Sequence, residues 1–187
     1  MKGYDYARDG AYFVTICTQG RECVFGTVVK GEMRPNEYGR EVARCWTWLA
    51  ERYPYVYLDE WIVMPDHMHA IIVITHAHGD GAHSNVTVAN EPCRGGSRTA
   101  QLRAASTTKP VQRKTDAMRS DPTKRKPLGR LIGSFKTVST QRVNDLKGTP
   151  GAQLWQRNYH ERVIRNGLAL DALRRYIANN PVLWAPA

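Results

Sequence analysis

The sequence predicts an α+β domain, an antiparallel sheet with helices packed on one face, interrupted by a long basic low-complexity insertion. Three observations predict it. Strand-like and helix-like segments follow in the order β-β-α-β-β-α-α, two of the strands are close enough to form a hairpin, and large apolar residues all but vanish between about 76 and 127. At 187 residues the chain has room for a single domain, 1–187, with its own core and a sizeable insertion, and two full domains are not expected.

The run AYFVTICT, Ala11 to Thr18, is rich in β-branched and aromatic residues and stops at Gln19-Gly20, which reads as a strand. A second strand is expected around Val24 to Val29. Tyr38, Val42, Cys45, Trp46 and Leu49 then recur at helical spacing, with Asn36 as N-cap and Pro54 as stop. Tyr55 to Met64 and His67 to Thr75 read as two strands of a hairpin turning at Pro65-Asp66, and the unbroken apolar run of the second suits a central strand.

Between about 76 and 127 the chain is a mixture of Ala, Gly, Ser, Thr, Pro and Arg that cannot bury enough apolar surface to order itself, so a flexible insertion is expected there. From Arg94 to Arg130 there are 11 Lys/Arg against two acids, Asp116 and Asp121, nearly the whole net charge of +10. Order returns in a helix from Leu128 to Leu146, with Leu131, Ile132, Phe135, Val138 and Val143 near one face. A last helix runs from about Leu168 to Asn180, ended by Pro181.

An excess of ten positive charges favours polyanions through long-range attraction and counterion release, which makes nucleic acid the leading partner class. No window approaches the roughly 20 apolar residues that span a bilayer, and no signal peptide is expected at the start. Cys17, Cys23, Cys45 and Cys93 form no CxxC pair, which suits a reducing cytoplasm, with Cys17 and Cys45 expected in the core. The irregular spacing of His76, His78, His83 and Cys93 does not suit zinc.

The chemistry concentrates in WIVMPDHMHAIIVI. Alternate side chains of a strand share a face, so His67 and His69 project side by side with Met68 on the other face, and two neutral imidazoles can hold a divalent metal. The spacing leaves open a pair of ordinary histidines near a strand end. In RRYIANNP, Tyr176 and Asn180 lie one helical turn apart, so a phenol and an amide carbonyl share a face. A core tyrosine and a C-terminal asparagine would have the same spacing. Tyr159, beside His160, is a rival nucleophile, and His160 has a structural or a phosphate-contacting role.

Together these residues resemble the single-tyrosine HUH transposases (IS200-like), in particular the REP-associated tyrosine transposases. The resemblance rests on His67-Met68-His69 after VMP and on Tyr176 with Asn180. It extends over AYFVTICT, LGRLIGSFKTVST, LWQRNYHERVIR and YIANNP, and leaves out residues 76–127. It implies a ferredoxin-like fold, a Mg²⁺ or Mn²⁺ ion on His67, His69 and Asn180, and Tyr176 as the nucleophile. Relatives often carry Gln where Asn180 stands, which leaves Asn179 as a fallback ligand, and Asn where Asp66 stands.

The activity implied is a metal-dependent endonuclease and strand transferase that recognises hairpins in single-stranded DNA, forms a covalent 5′-phosphotyrosine and works as a homodimer. The alternative is a hairpin DNA- or RNA-binding protein whose catalysis is dispensable, and a phosphodiesterase using water is a weaker option. Lys124, Arg125, Lys126, Arg130, Lys136 and Arg142 are candidate phosphate contacts.

Overall fold

The computed structural model describes residues 9–75 and 125–184, so the segment expected to be an insertion lies for the most part outside the described residues. Among the described residues six strands and three α-helices follow in the order β1 Gly10–Cys17, β2 Gly26–Val29, β3 Glu32–Pro35, α1 Glu37–Arg52, β4 Val56–Val63, β5 His67–Ile74, α2 Leu128–Lys147, β6 His160–Ile164 and α3 Gly167–Leu183. The main sheet has the antiparallel order β4-β5-β1-β6. With the separate β2–β3 hairpin and α3 set aside, the succession is β-α-β-β-α-β, the split unit of a ferredoxin-like domain.

Strand alternation divides the side chains between the two faces. Tyr12, Val14 and Ile16 of β1 and Met68, Ala70, Ile72 and Ile74 of β5 join the main core beneath α1 and α2. α1 buries Val42, Cys45, Trp46 and Leu49, and its Asn36 cap accepts from the Gly39 amide at 2.9 Å. A side chain at Gly39 would place its Cβ 2.3 Å from the Phe25 carbonyl, so the close entry of the β2 loop demands glycine. Trp46 meets Phe135 edge-on at 5.0 Å, and Trp155 packs between Phe25 and Phe135 while donating to Ser139 Oγ at 2.9 Å.

The expected elements stand, with differences at particular places. The second strand starts at Gly26 and belongs to its own hairpin with β3, which the expected order lacked. β6 was also absent from that order, because HERVI carries only two apolar residues on an edge strand. α3 does not stop at Pro181: Pro181 is buried inside the helix, and its last turn lies beside the β2–β3 hairpin. α1 and α2 cover one face as expected, whereas α3 lies across the other, where Ile177 packs with Phe13 and Ile71. Cys45 is fully buried, and burial pushes its thiol up to about 11. Cys17, by contrast, is only half-buried, because alternation turns it to the α3 face.

Candidate active site

β5 is central and pinned on both sides, with His67 opposite Cys17 and His69 opposite Thr15 on β1. Both histidines are buried on the α3 face, while Met68 enters the core on the other. The rings lie 4.5 Å apart between centroids. His67 Nδ1 meets Asp66 Oδ1 at 2.5 Å, and His69 Nδ1 meets Thr15 Oγ1 at 2.8 Å. With a proton on each Nδ1, both Nε2 lone pairs are left for other partners. Burial, with smaller effects from His67 and Arg21, pushes His69 down to about 3, so its imidazole is neutral at physiological pH.

α3 brings the other two groups. Its Asn166 cap accepts from the Ala169 amide at 2.8 Å, and Arg174 grips Asp59 of β4 through two bonds of 2.8 and 2.6 Å. Arg174 also holds the Asp59 carboxyl below the usual carboxylate range. Ile177 seats the helix on the sheet, so Tyr176 and Asn180, one turn apart, both line one cleft with the histidines. The Tyr176 hydroxyl lies 3.3 Å from His69 Nε2, and Phe13 meets its ring edge-on. Thr15, Arg21, His67, His69, Tyr176, Asn180 and the chain at 183–184 line a cleft of about 320 Å³.

Tyr176 is 43% exposed and open to a polymer, whereas Asn180 is 8% exposed and makes no side-chain hydrogen bond among the described residues. Two imidazoles side by side and a buried amide in one cleft are a donor set that could hold a divalent metal of the Mg²⁺ or Mn²⁺ kind on His67, His69 and Asn180. Among the described residues no group of three His, Cys, Asp or Glu converges, and Asn180 is the side-chain amide that lines the cleft with the two histidines. Asn179 is exposed and does not line the cleft.

Tyr159 packs against the main core under α2, with Lys136 Nζ 5.5 Å from its ring centre, and is not among the residues lining the cleft. His160 and Arg162, opposite Thr15 and Phe13 across β1, are exposed on the histidine face. The candidate phosphate contacts are placed differently. Lys124 lies outside the described residues. Arg125 pairs with Asp9, Lys126 Nζ bonds Tyr53 at 3.1 Å, and Arg142 pairs with Glu41 at 3.0 Å. Lys136 Nζ bonds the carbonyls of Gln156, Arg157 and Asn158, and Arg130 is exposed. Sequence reasoning missed Arg21, whose only local signal is the Gln19-Gly20-Arg21 turn after the first strand.

No protein-family model matches the chain. It is 32% identical over 185 residues to an uncharacterized protein of Haemophilus influenzae (strain Rd), a match covering 98% of this chain and 87% of that one. The chain belongs to one family with that protein. Among solved structures, a REP-associated tyrosine transposase bound to a REP hairpin superposes with a TM-score of 0.53 at 16% identity, covering 98% of this chain and 72% of that one. The resemblance to the REP-associated tyrosine transposases therefore holds at the level of the fold. Among the described residues no helix is long and apolar enough to cross a membrane.

Proposed function

We propose that this family member is a metal-dependent single-stranded DNA endonuclease and strand transferase, an HUH-type tyrosine transposase with Tyr176 as its nucleophile. The observation that carries the reading is the reach of the half-exposed Tyr176 hydroxyl to His69 Nε2, in one cleft with His67 and Asn180. His67, His69 and Asn180 would hold Mg²⁺ or Mn²⁺, which when bound supplies Lewis-acid polarisation of the scissile phosphate.

The chain's own residues do the rest. Asp66 and Thr15 fix the two imidazoles, Phe13 steadies the tyrosine ring edge-on, and Ile177, packed with Phe13 and Ile71, seats the helix that carries it. The Tyr176 oxygen attacks phosphorus as the bond to the 3′-oxygen breaks, leaving a 5′-phosphotyrosine and a free 3′-OH, with the phenolic proton passing to the leaving oxygen or to solvent. Attack by a second 3′-OH reverses the step and joins strands without an external energy source.

The substrate proposed is a short hairpin in single-stranded DNA, the ligand class of the hairpin-bound structural neighbour. Residues 1–187 act as one cytoplasmic catalytic unit, as a homodimer, with the basic stretch 76–127 within that unit. Labelled hairpin oligonucleotides from the DNA flanking the gene, incubated with Mn²⁺, are expected to give a denaturant-stable adduct that Tyr176→Phe abolishes. Binding without adduct would indicate a hairpin-binding protein, and cleavage that survives Tyr176→Phe would indicate water as nucleophile.

A further inference from the structure

Among the described residues the one Lys or Arg lining the cleft is Arg21, which arrives from outside both elements that carry the histidines and the tyrosine. Directly after β1 the backbone reverses through two successive left-handed residues, Gly20 at φ 64° and Arg21 at φ 58°. A left-handed arginine is uncommon and strained. The surrounding structure holds it there: Thr18, fully buried, donates its hydroxyl to the Glu22 and Asp66 carbonyls at 2.9 Å, and the Gln19 amide donates to Leu154.

The guanidinium itself is oriented from two sides. Nε faces Asp66 Oδ2 at 3.2 Å, and Nη1 donates to Cys17 Sγ at 2.9 Å. Asp66, 3% exposed, is shared between Arg21 and His67, so the arginine stands at a set distance from the histidine pair. With Nε turned to Asp66 and one Nη1 N–H spent on Cys17, the other three N–H donors have no partner among the described residues. The Arg21 side chain is 50% exposed, so those donors remain within reach of a ligand in the cleft.

We infer that Arg21 is a catalytic residue that binds a non-bridging oxygen of the phosphate attacked by Tyr176, an inference that rests on the transesterase reading above. A fixed guanidinium with spare donors matches phosphate oxygens geometrically and offsets charge gathering on them during attack. The carboxylate that orients it also orients His67, so one side chain aligns both sides of the phosphate site.

The test uses the full chain. Wild-type cleavage of the labelled hairpin oligonucleotide with Mn²⁺ first maps the scissile phosphate. Binding is then measured in EDTA by fluorescence anisotropy, for that oligonucleotide and for one carrying a methylphosphonate at the mapped position. Wild type, and an Arg44→Ala control for loss of a remote surface charge, are expected to prefer the phosphate by about tenfold, the worth of one charge-assisted hydrogen bond. Arg21→Ala should lose that preference and slow adduct formation about a hundredfold or more.

Arg21→Lys, which keeps a cation beside Asp66, should fold as wild type does and recover part of both. An Arg21→Ala protein that retains the tenfold preference while losing its Mn²⁺-induced rise in melting temperature would overturn the inference, leaving Arg21 a mere support for Asp66 and His67. Absence of cleavage by wild type would instead remove the transesterase reading, and this inference with it.

Discussion

Acidification should destabilise the fold through His69. The ring is buried, neutral and sandwiched between Phe13, His67 and Tyr176, with a value near 3 in place of the ordinary 6.5. Between pH 7 and pH 4.5 the unfolded chain therefore takes up about three-quarters of a proton at this position and the folded chain almost none. Because the unfolded state binds more protons, stability falls as pH falls: the contribution is whole above 6.5 and is lost on the way down toward 3. At about 1.4 kcal/mol per unit, the loss by pH 4.5 is about 2–3 kcal/mol.

Urea unfolding in EDTA at pH 7 and pH 4.5, on wild type and His69→Gln, isolates this effect, since the carboxylates titrate alike in both chains. Wild type should lose about 2–3 kcal/mol more than the variant over that interval. Equal losses would refute the argument and mean that the ring is solvated or protonated in the folded state.

Three other outcomes are expected. Asn180→Ala should shrink the rise in melting temperature that Mn²⁺ confers on wild type, which for ion at a hundred times Kd amounts to about 2.7 kcal/mol, as differential scanning fluorimetry would show. Arg174→Ala, which frees α3 from Asp59, should cost about 1 kcal/mol given the solvent screening of the arginine, and should lower amide-exchange protection in α3 before it does so in α1. Asn36→Ala removes the α1 cap and should cost about 1 kcal/mol in chemical denaturation without altering adduct formation.

Much of this was legible in the residues themselves. The spacing of His67 and His69 placed both rings on one side of a strand, and the four-residue interval from Tyr176 to Asn180 placed phenol and amide on one side of a helix. Both juxtapositions are local consequences of backbone period, and the structure shows them. Asn36 as cap and the turn at Pro65-Asp66 were equally local.

What stayed hidden depends on distant pairing. HERVI becomes a strand because β1 offers it an edge, and Cys17 leaves the core because a third helix needs the opposite face of the sheet. Lys126, Lys136 and Arg142 read as free cations, but tertiary packing gives them Tyr53, the carbonyls of 156–158 and Glu41 as partners. Arg21 reads as an ordinary turn residue until Asp66, 45 positions away, closes on it. The sequence by itself determined which side of each element its chemistry faces, because side-chain direction follows from backbone period alone. Only the tertiary structure decided which of those sides meet, because burial and strand pairing join residues far apart in the chain.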